Sequence, residues 1–291
     1  MDPMHQSLAI SYIVVPLLLI PLYFRLLYVF HLKFSQLLSY RLMFHQGIGD
    51  ILLMTAQFAA GISATFDSPM PFWLNKIFGA VFNGGYQSSL PFVLLLTVNR
   101  LIVICDFPAL RPLLENRYAP LWIGLPYLWG FCLGISYLCP NIDVLFDLGT
   151  FSWQFSGDYG SWAQSVDFYA GESIIVASTV IYVFILAYIF LKKFIHLQRA
   201  GHAHVAIPRR NDYGLLLNIF LTYASLALLL LAFNVQPRIS ETKSASGVVN
   251  LLIAIRAGLD PFICILTIKS VRRVFIAKRR VDVSFVTTLR T

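Results

Sequence analysis

Seven apolar stretches, each long enough for a helix to cross the roughly 30 Å hydrocarbon core of a bilayer, narrow this chain to one kind of architecture. They run Leu8 to Val29, Leu42 to Phe66, Phe72 to Ile104, Tyr118 to Leu138, Phe168 to Leu191, Tyr213 to Val235 and Gly247 to Ile268. Lipid offers no partner for backbone N–H and C=O groups, so crossings of this kind are helical. Composition agrees: 58% hydrophobic residues, 12% charged and a mean hydropathy of +0.72 exceed what soluble domains carry. The expected fold is therefore an all-α membrane protein, a seven-transmembrane helix bundle. Its third run is longer than a bilayer needs and should tilt or project. The opening MDPMHQS has no basic n-region, and Pro16 and Pro21 interrupt the first run, which reads as a retained helix rather than a cleaved leader.

A net charge of +8 would suit nucleic acid, but its distribution suits a membrane better. The inner ends of runs one and three, with Arg25 and Arg100, and the stretches after runs one, three, five and seven hold 18 of the 22 Lys and Arg. The opposite side keeps Lys76, Arg238 and Lys243, and Arg256 lies inside a run. Excess Lys and Arg marks the cytoplasmic side, which puts the N-terminus outside and the C-terminus inside. Residues 1–280 then form the transmembrane domain and 281–291 a short cytoplasmic tail. Past the seventh run, Val271, Val274 and Phe275 fall on one helix side and Lys269, Arg272 and Arg273 on the other. That pattern predicts a short amphipathic helix lying against membrane lipid.

Charges inside the runs constrain how the helices meet. Arg256, Asp260 and Pro261 sit in the seventh run, and Asp50 is the single carboxylate of the second. Each ionisable group at mid-bilayer costs about 2.5 to 3.5 kcal/mol on insertion scales, so it faces the bundle interior and finds a partner there. Arg256 and Asp260, four apart, share a helix face and can pair locally. Alternatively Arg256 reaches Asp50 on the second helix. Both readings put a polar knot inside an oily bundle.

Between runs four and five, Cys139 to Asp167 carries Asp143, Asp147, Asp158 and Asp167 without a Lys or Arg. Phe151, Trp153 and Phe155 alternate with Ser152 and Gln154 ahead of SGDYGS, a hairpin pattern. Two readings stay open: a lid over a pocket, or an acidic solvated loop with aromatics resting on helix ends. Cys105, Cys132, Cys139 and Cys264 show no metal or redox spacing. The loop Lys192 to Asp212 holds His196, His202 and His204 with no Cys or acidic partner suitably spaced, so a solvated basic loop is expected and no metal site or cofactor. No Asn-x-Ser/Thr sequon occurs.

Seven crossings in this orientation, Asp50 in helix two, Asn99-Arg100 at the inner end of helix three, Asp260-Pro261 in helix seven and a basic amphipathic tail together resemble a rhodopsin-like G-protein-coupled receptor. More narrowly, SYRLMFHQGIGDILL and FVLLLTVNRLIVIC look like the nematode serpentine chemoreceptors. The resemblance spans Leu8 to Arg280. It implies an activation switch at Asn99, Arg100, Asp260 and Pro261, with Arg100 snorkelled to the cytoplasmic face. Asn99 stands where such receptors carry an acid, Cys264 where they carry a Tyr, and helix six lacks their Pro and Trp. Their disulfide from helix three to the long outer loop is missing, because Phe72 to Val98 holds no cysteine, so a looser lid is expected unless packing replaces the bridge. Asp50 and Ser89 match the residues that hold a sodium ion in related receptors. Here Arg256 would supply the cation, in a buried charge network of Asp50, Ser89, Arg256 and Asp260.

For the ligand, Phe82 falls where amine receptors place an Asp, which argues against a cationic amine. Phe82, Asn83 and Tyr86 are candidates for an apolar or weakly polar pocket floor, although aromatics at helical spacing, Phe78, Phe82 and Tyr86, also pack as plain core. Glu172 reads either as a contact to a polar ligand group or as an interfacial acid. The function implied is a chemosensory receptor for a small molecule or short peptide, multi-pass in the plasma membrane, such as that of a sensory cilium, with a heterotrimeric G protein as its inner partner and no role for nucleic acid. The alternative is a seven-helix transporter or channel using Asp50, Arg256 and Asp260 as a polar path. No paired His, Gly-x-Ser-x-Gly or catalytic dyad in the helices points to an enzyme.

Overall fold

Where apolar runs meet no water, the backbone satisfies itself, and long helices result. The computed structural model describes residues 3–115, 117–199, 217–218, 220–229, 231–232 and 243–276. Within these, α1 (Pro3–Phe34), α2 (Leu38–Thr65) and α3 (Phe72–Cys105) lead through a 3-10 turn (Pro108–Leu114) to α4 (Ala119–Ser136). Strands β1 (Asp143–Asp147) and β2 (Ser152–Ser156) precede α5 (Gly160–Arg199), α6 (Phe220–Leu229), α7 (Lys243–Thr267) and α8 (Lys269–Ile276). Six of the helices are long and apolar enough to cross a membrane, and α6 is a shorter apolar helix on the sixth run. Large side chains such as Leu18 and Phe190, 64% and 72% exposed, cover the outer surface, which only a lipid solvent accommodates.

Several sequence expectations need adjusting here. Pro16 and Pro21 do not interrupt α1, which runs through both. Tolerance of this kind is common in membrane helices, where neighbouring groups satisfy the freed carbonyls. The hairpin exists, but its turn is Leu148 to Phe151, and SGDYGS leads into α5 instead. α5 also begins eight residues before the apolar run it contains, carrying Asp167 into the bundle. At the other end of the chain, α8 has the expected faces: Val271 is buried, Val274 and Phe275 pack on the α1/α2 cluster, and Arg272 and Arg273 are exposed. Arg25 of α1 ties it down, its guanidinium 4.6 Å over the Phe275 ring and donating to the Phe275 carbonyl at 2.5 Å. His202, His204, Arg238, Lys278 to Arg280 and the tail 281–291 lie outside the described residues, as does the His196 side chain.

α3 is the central helix, packed against α2, α4, α5 and β1, while α7 lies against α1, α2 and β2. Close approach of α2 and α3 depends on a pair of glycines. A Cβ on Gly49 would stand 2.9 Å from the Gly85 carbonyl oxygen, and one on Gly85 the same distance from that of Gly49. Small residues let membrane helices touch backbone to backbone. The neighbouring residue, Asp50, is thereby carried into the centre of the bundle.

Candidate functional site

Polar side chains inside the bundle form three stations, spaced from the hairpin end, where α3 begins, to the opposite end, where it finishes. The middle station is built on the charges of α2 and α7. Arg256 donates to Asp50 Oδ1 at 3.1 Å, with both side chains almost wholly buried. Of the two pairings open to Arg256, the structure thus has the one across helices. Asp260 makes no ion pair among the described residues, and its carboxylate accepts from Gln46 at 2.9 Å and from Thr222 of α6 at 3.1 Å. Four residues along a helix bring two side chains to one face, but α2 lies close enough to offer Arg256 a more buried acid.

Tyr23 of α1 completes this station. Its phenol lies 2.9 Å from Asp50 Oδ2 and 2.6 Å from the Ala257 carbonyl. Pro261 has no N–H, so the carbonyl four residues back, that of Ala257, lacks its helical donor. The Tyr23 hydroxyl takes the place of that donor. A phenol has one hydrogen for the two acceptors, so it is shared between them or Asp50 itself carries a proton. Beside them, a cavity of about 30 Å³ is lined by Gln46, Asp50, Asn218, Thr222, Asp260 and Cys264 among others. Such a space admits about two water molecules. Ser89, expected in this network, is not part of it: its hydroxyl donates to the Tyr86 carbonyl on its own helix at 2.8 Å. Back-bonding to the preceding turn satisfies a buried serine without any partner from another helix.

At the hairpin end, Phe82 is buried under Trp153 of β2, the two rings stacked at 5.1 Å. The Trp153 indole N–H donates to Gln57 of α2 at 3.2 Å. Tyr86 and Phe78 pack against the same cluster, so Phe82 and Tyr86 line one seat whereas Asn83 turns to the next face. There Asn83 donates to Asp167 of α5, whose other oxygen accepts from the Tyr137 hydroxyl at 2.5 Å. Asp167 is therefore buried between α3 and α5, not a solvated loop acid. Glu172, one and a half turns on, is half-buried.

For the lid, the second of the two outcomes left open is the one present: packing and polar contacts replace the bridge. Val144, Phe146, Trp153 and Phe155 share the hairpin face turned to the bundle, through the cross-strand pairs Val144 with Phe155 and Phe146 with Trp153. Asn75 of α3 holds Phe146 twice, accepting from its N–H at 2.8 Å and donating to its carbonyl at 3.0 Å. Lys76, 2% exposed, donates to Asp143 at 2.5 Å and to the Cys139 carbonyl at 2.8 Å. Gly79 leaves room for β1, since a Cβ there would lie 1.8 Å from the Val144 carbonyl oxygen. Where a disulfide would join α3 to this loop, an ion pair and an amide do so. All four cysteines are free.

At the opposite end Arg100 is 4% exposed and does not snorkel. It donates to the Ser39 hydroxyl of α2 at 2.8 Å, and that hydroxyl donates to Asn99 at 2.7 Å. A neutral Asn accepts from the serine where an acid would have drawn the guanidinium to itself. The sequence reading missed Tyr23, Ser39, Gln46, Gln57 and Thr222, although two had a signal: Gln46 is one turn before Asp50, and Thr222 is a rare polar residue in the sixth run.

No curated protein matches the chain. The family described as serpentine type 7TM GPCR chemoreceptor Srx matches residues 20–267, a span that includes all three stations. This match covers most of the chain, together with the long apolar helices around buried polar stations, and the protein belongs to the Srx family of nematode serpentine seven-transmembrane chemoreceptors.

Proposed function

We propose that this protein is a chemosensory G-protein-coupled receptor that takes an apolar or weakly polar small molecule, or a short peptide, at its hairpin end and engages a heterotrimeric G protein at the Arg100 end. In this reading the N-terminus is outside, residues 1–280 form the receptor bundle, 281–291 a cytoplasmic tail, and the site of action is the plasma membrane, as in a sensory cilium. The observation that carries it is the middle station. Arg256 and Asp50 join α7 to α2, and Asp260 reaches α6, so a shift of any one of these helices at the hairpin end strains contacts to the others. A ligand acts by favouring one arrangement of such a bundle over another, and no covalent step is needed. Asn99 and Arg100, with Asp260 and Pro261, serve as the switch, and Ser39 holds it at rest.

The test is a calcium or cyclic-nucleotide readout in cells expressing the chain, challenged with odorants, small pheromones and short peptides. Arg100→Ala should retain ligand binding and lose signalling, and equal signalling by that variant would remove the switch role. Ion flux without any effect of guanine nucleotide would support the transporter or channel alternative built on Asp50, Arg256 and Asp260.

A further inference from the structure

β1 and β2 make a sheet of two strands, so each has one edge that faces away from the other. The register fixes which backbone groups line those edges. Asn75 of α3 takes both the N–H and the C=O of Phe146, and the Val144 carbonyl points at Gly79 of α3, so Val144 and Phe146 turn these groups away from β2. In an antiparallel ladder the residues opposite them, Phe155 and Trp153, turn theirs away from β1. α3 thus covers the outer edge of β1. The outer edge of β2 carries the Trp153 N–H and C=O and the Phe155 N–H, and none of the three bonds to a described residue.

Both ends of this stretch are closed. The Phe151 carbonyl, earlier on the same edge, accepts from Tyr12 at 2.6 Å and from Asn250 at 3.5 Å. The Phe155 carbonyl lies at the start of α5, where a Cβ on Gly160 would stand 3.3 Å from its carbon. Between them the open groups run donor, acceptor, donor. Open strand edges invite another strand, and native sheets blunt them with charge, proline or a bulge. Ser152 to Ser156 reads SWQFS, with no charge, no proline and an unbroken register. Trp153 and Phe155 are half-buried on the bundle face, while Gln154 and Ser156 are exposed.

Charge near the edge selects the partner. Asp158 lies exposed two residues past β2, and Asp147 stands opposite Ser152 at the other end. Lys76 pairs with Asp143, and residues 139 to 167 hold no Lys or Arg to offset the other two acids. A strand laid along β2 therefore meets one acid near each of its ends.

Taking the receptor reading as its basis, we propose that the ligand is a short basic peptide that adds to β2 as a third, antiparallel strand. One of its residues exchanges both backbone bonds with Trp153, and the residue two before it accepts from the Phe155 N–H. Those two side chains are apolar and pack beside Trp153 and Phe155 on the bundle face. The residue between them faces outward beside Gln154, and Lys or Arg at the ends meets Asp147 and Asp158.

The experiment uses the full-length protein in lipid nanodiscs and a pool of pentapeptides of the form Lys-X-Thr-X-Lys, where X is Val, Ile, Leu, Phe, Tyr or Trp. The tightest-binding member is the probe. N-methylation of its fourth residue, whose N–H faces the Trp153 carbonyl, should weaken binding by about fivefold or more, as expected for one lost hydrogen bond. N-methylation of its third residue, whose N–H points away, should change binding less than twofold. Glu in place of both lysines should weaken binding, and most at low salt. Phe155→Pro deletes a donor that the β1 ladder does not use and should weaken the probe about fivefold, whereas Phe155→Leu keeps the N–H and the affinity. The N-methyl comparison uses the unaltered protein, so it decides the matter even if Phe155→Pro does not fold. Amide hydrogen exchange at Trp153 and Phe155 should be fast without peptide and slow with it. No binder in the pool, equal losses at the third and fourth residues, tighter binding of the Glu form, or slow exchange before peptide is added, because a second copy or another segment already lies on the edge, would overturn the proposal. Methylation-sensitive binding with no guanine-nucleotide effect would keep the strand site and remove the receptor reading. Nucleotide-sensitive signalling to ligands indifferent to Phe155→Pro would do the reverse.

Discussion

The two ends of the bundle are held shut by different means. At the hairpin end Tyr12, Asn75, Lys76 and Gln57, from three helices, each bind β1, β2 or the chain beside them, and the targets are largely backbone carbonyls. At the opposite end one hydroxyl, Ser39, stands between Asn99 and Arg100. Bonds to backbone keep their place as long as the strand does, whereas the two bonds that meet at the Ser39 hydroxyl change with one rotamer of that serine. The hairpin end is thus held mainly through backbone groups and the opposite end through the side-chain latch at Ser39, with the Arg256 and Asp50 pair between them. In the proposed receptor reading, a signal requires energy at the hairpin and little at the latch.

The largest effect should come from the centre. Arg256→Ala leaves Asp50 buried without its cation and should cost about 3 to 5 kcal/mol, read as lost surface expression and a lower melting temperature. The charge reversal Asp50→Arg with Arg256→Asp should recover part of that loss, and no recovery over the single variants would refute direct pairing. Next, Lys76→Met removes the cation that binds Asp143 and the Cys139 carbonyl, and should cost about 1 to 3 kcal/mol. Reductant, by contrast, should leave the melting temperature unchanged, and a drop would show that a disulfide holds the hairpin after all. Tyr23→Phe strips the donor from the Ala257 carbonyl at Pro261 and should cost about 1 to 2 kcal/mol. Smallest in stability is Ser39→Ala, about 1 kcal/mol or less, yet it should raise ligand-independent signalling. If basal signalling does not rise, the contrast between a firm end and a light latch falls.

Much of the architecture was legible because insertion into lipid is a local property. Runs such as Leu42 to Phe66 and Gly247 to Ile268 can be recognised one at a time, and a charge within them, Asp50 or Arg256, must turn inward wherever the neighbours are. The alternation of Trp153 and Phe155 was equally local, and so was the amphipathic pattern of α8. Partner choice was not. Spacing allowed Arg256 to meet Asp260, and the fold gave it Asp50; Ser89 had the right position and bonded to its own helix. Asp167 and Lys76 read as surface charges because nothing in their flanks shows that Tyr137 and Asp143 are folded over them.

Helix number, the identity of the residues that must be buried and the presence of a covering hairpin are written in the order of residues, since each follows from the free energy of placing a short segment in lipid or water. Which acid receives Arg256, what replaces the missing disulfide and where Arg100 rests were decided only by the tertiary structure. Those outcomes turn on distances of an ångström or two between helices distant in sequence, such as the contact that Gly49 and Gly85 allow, and no local pattern carries that information.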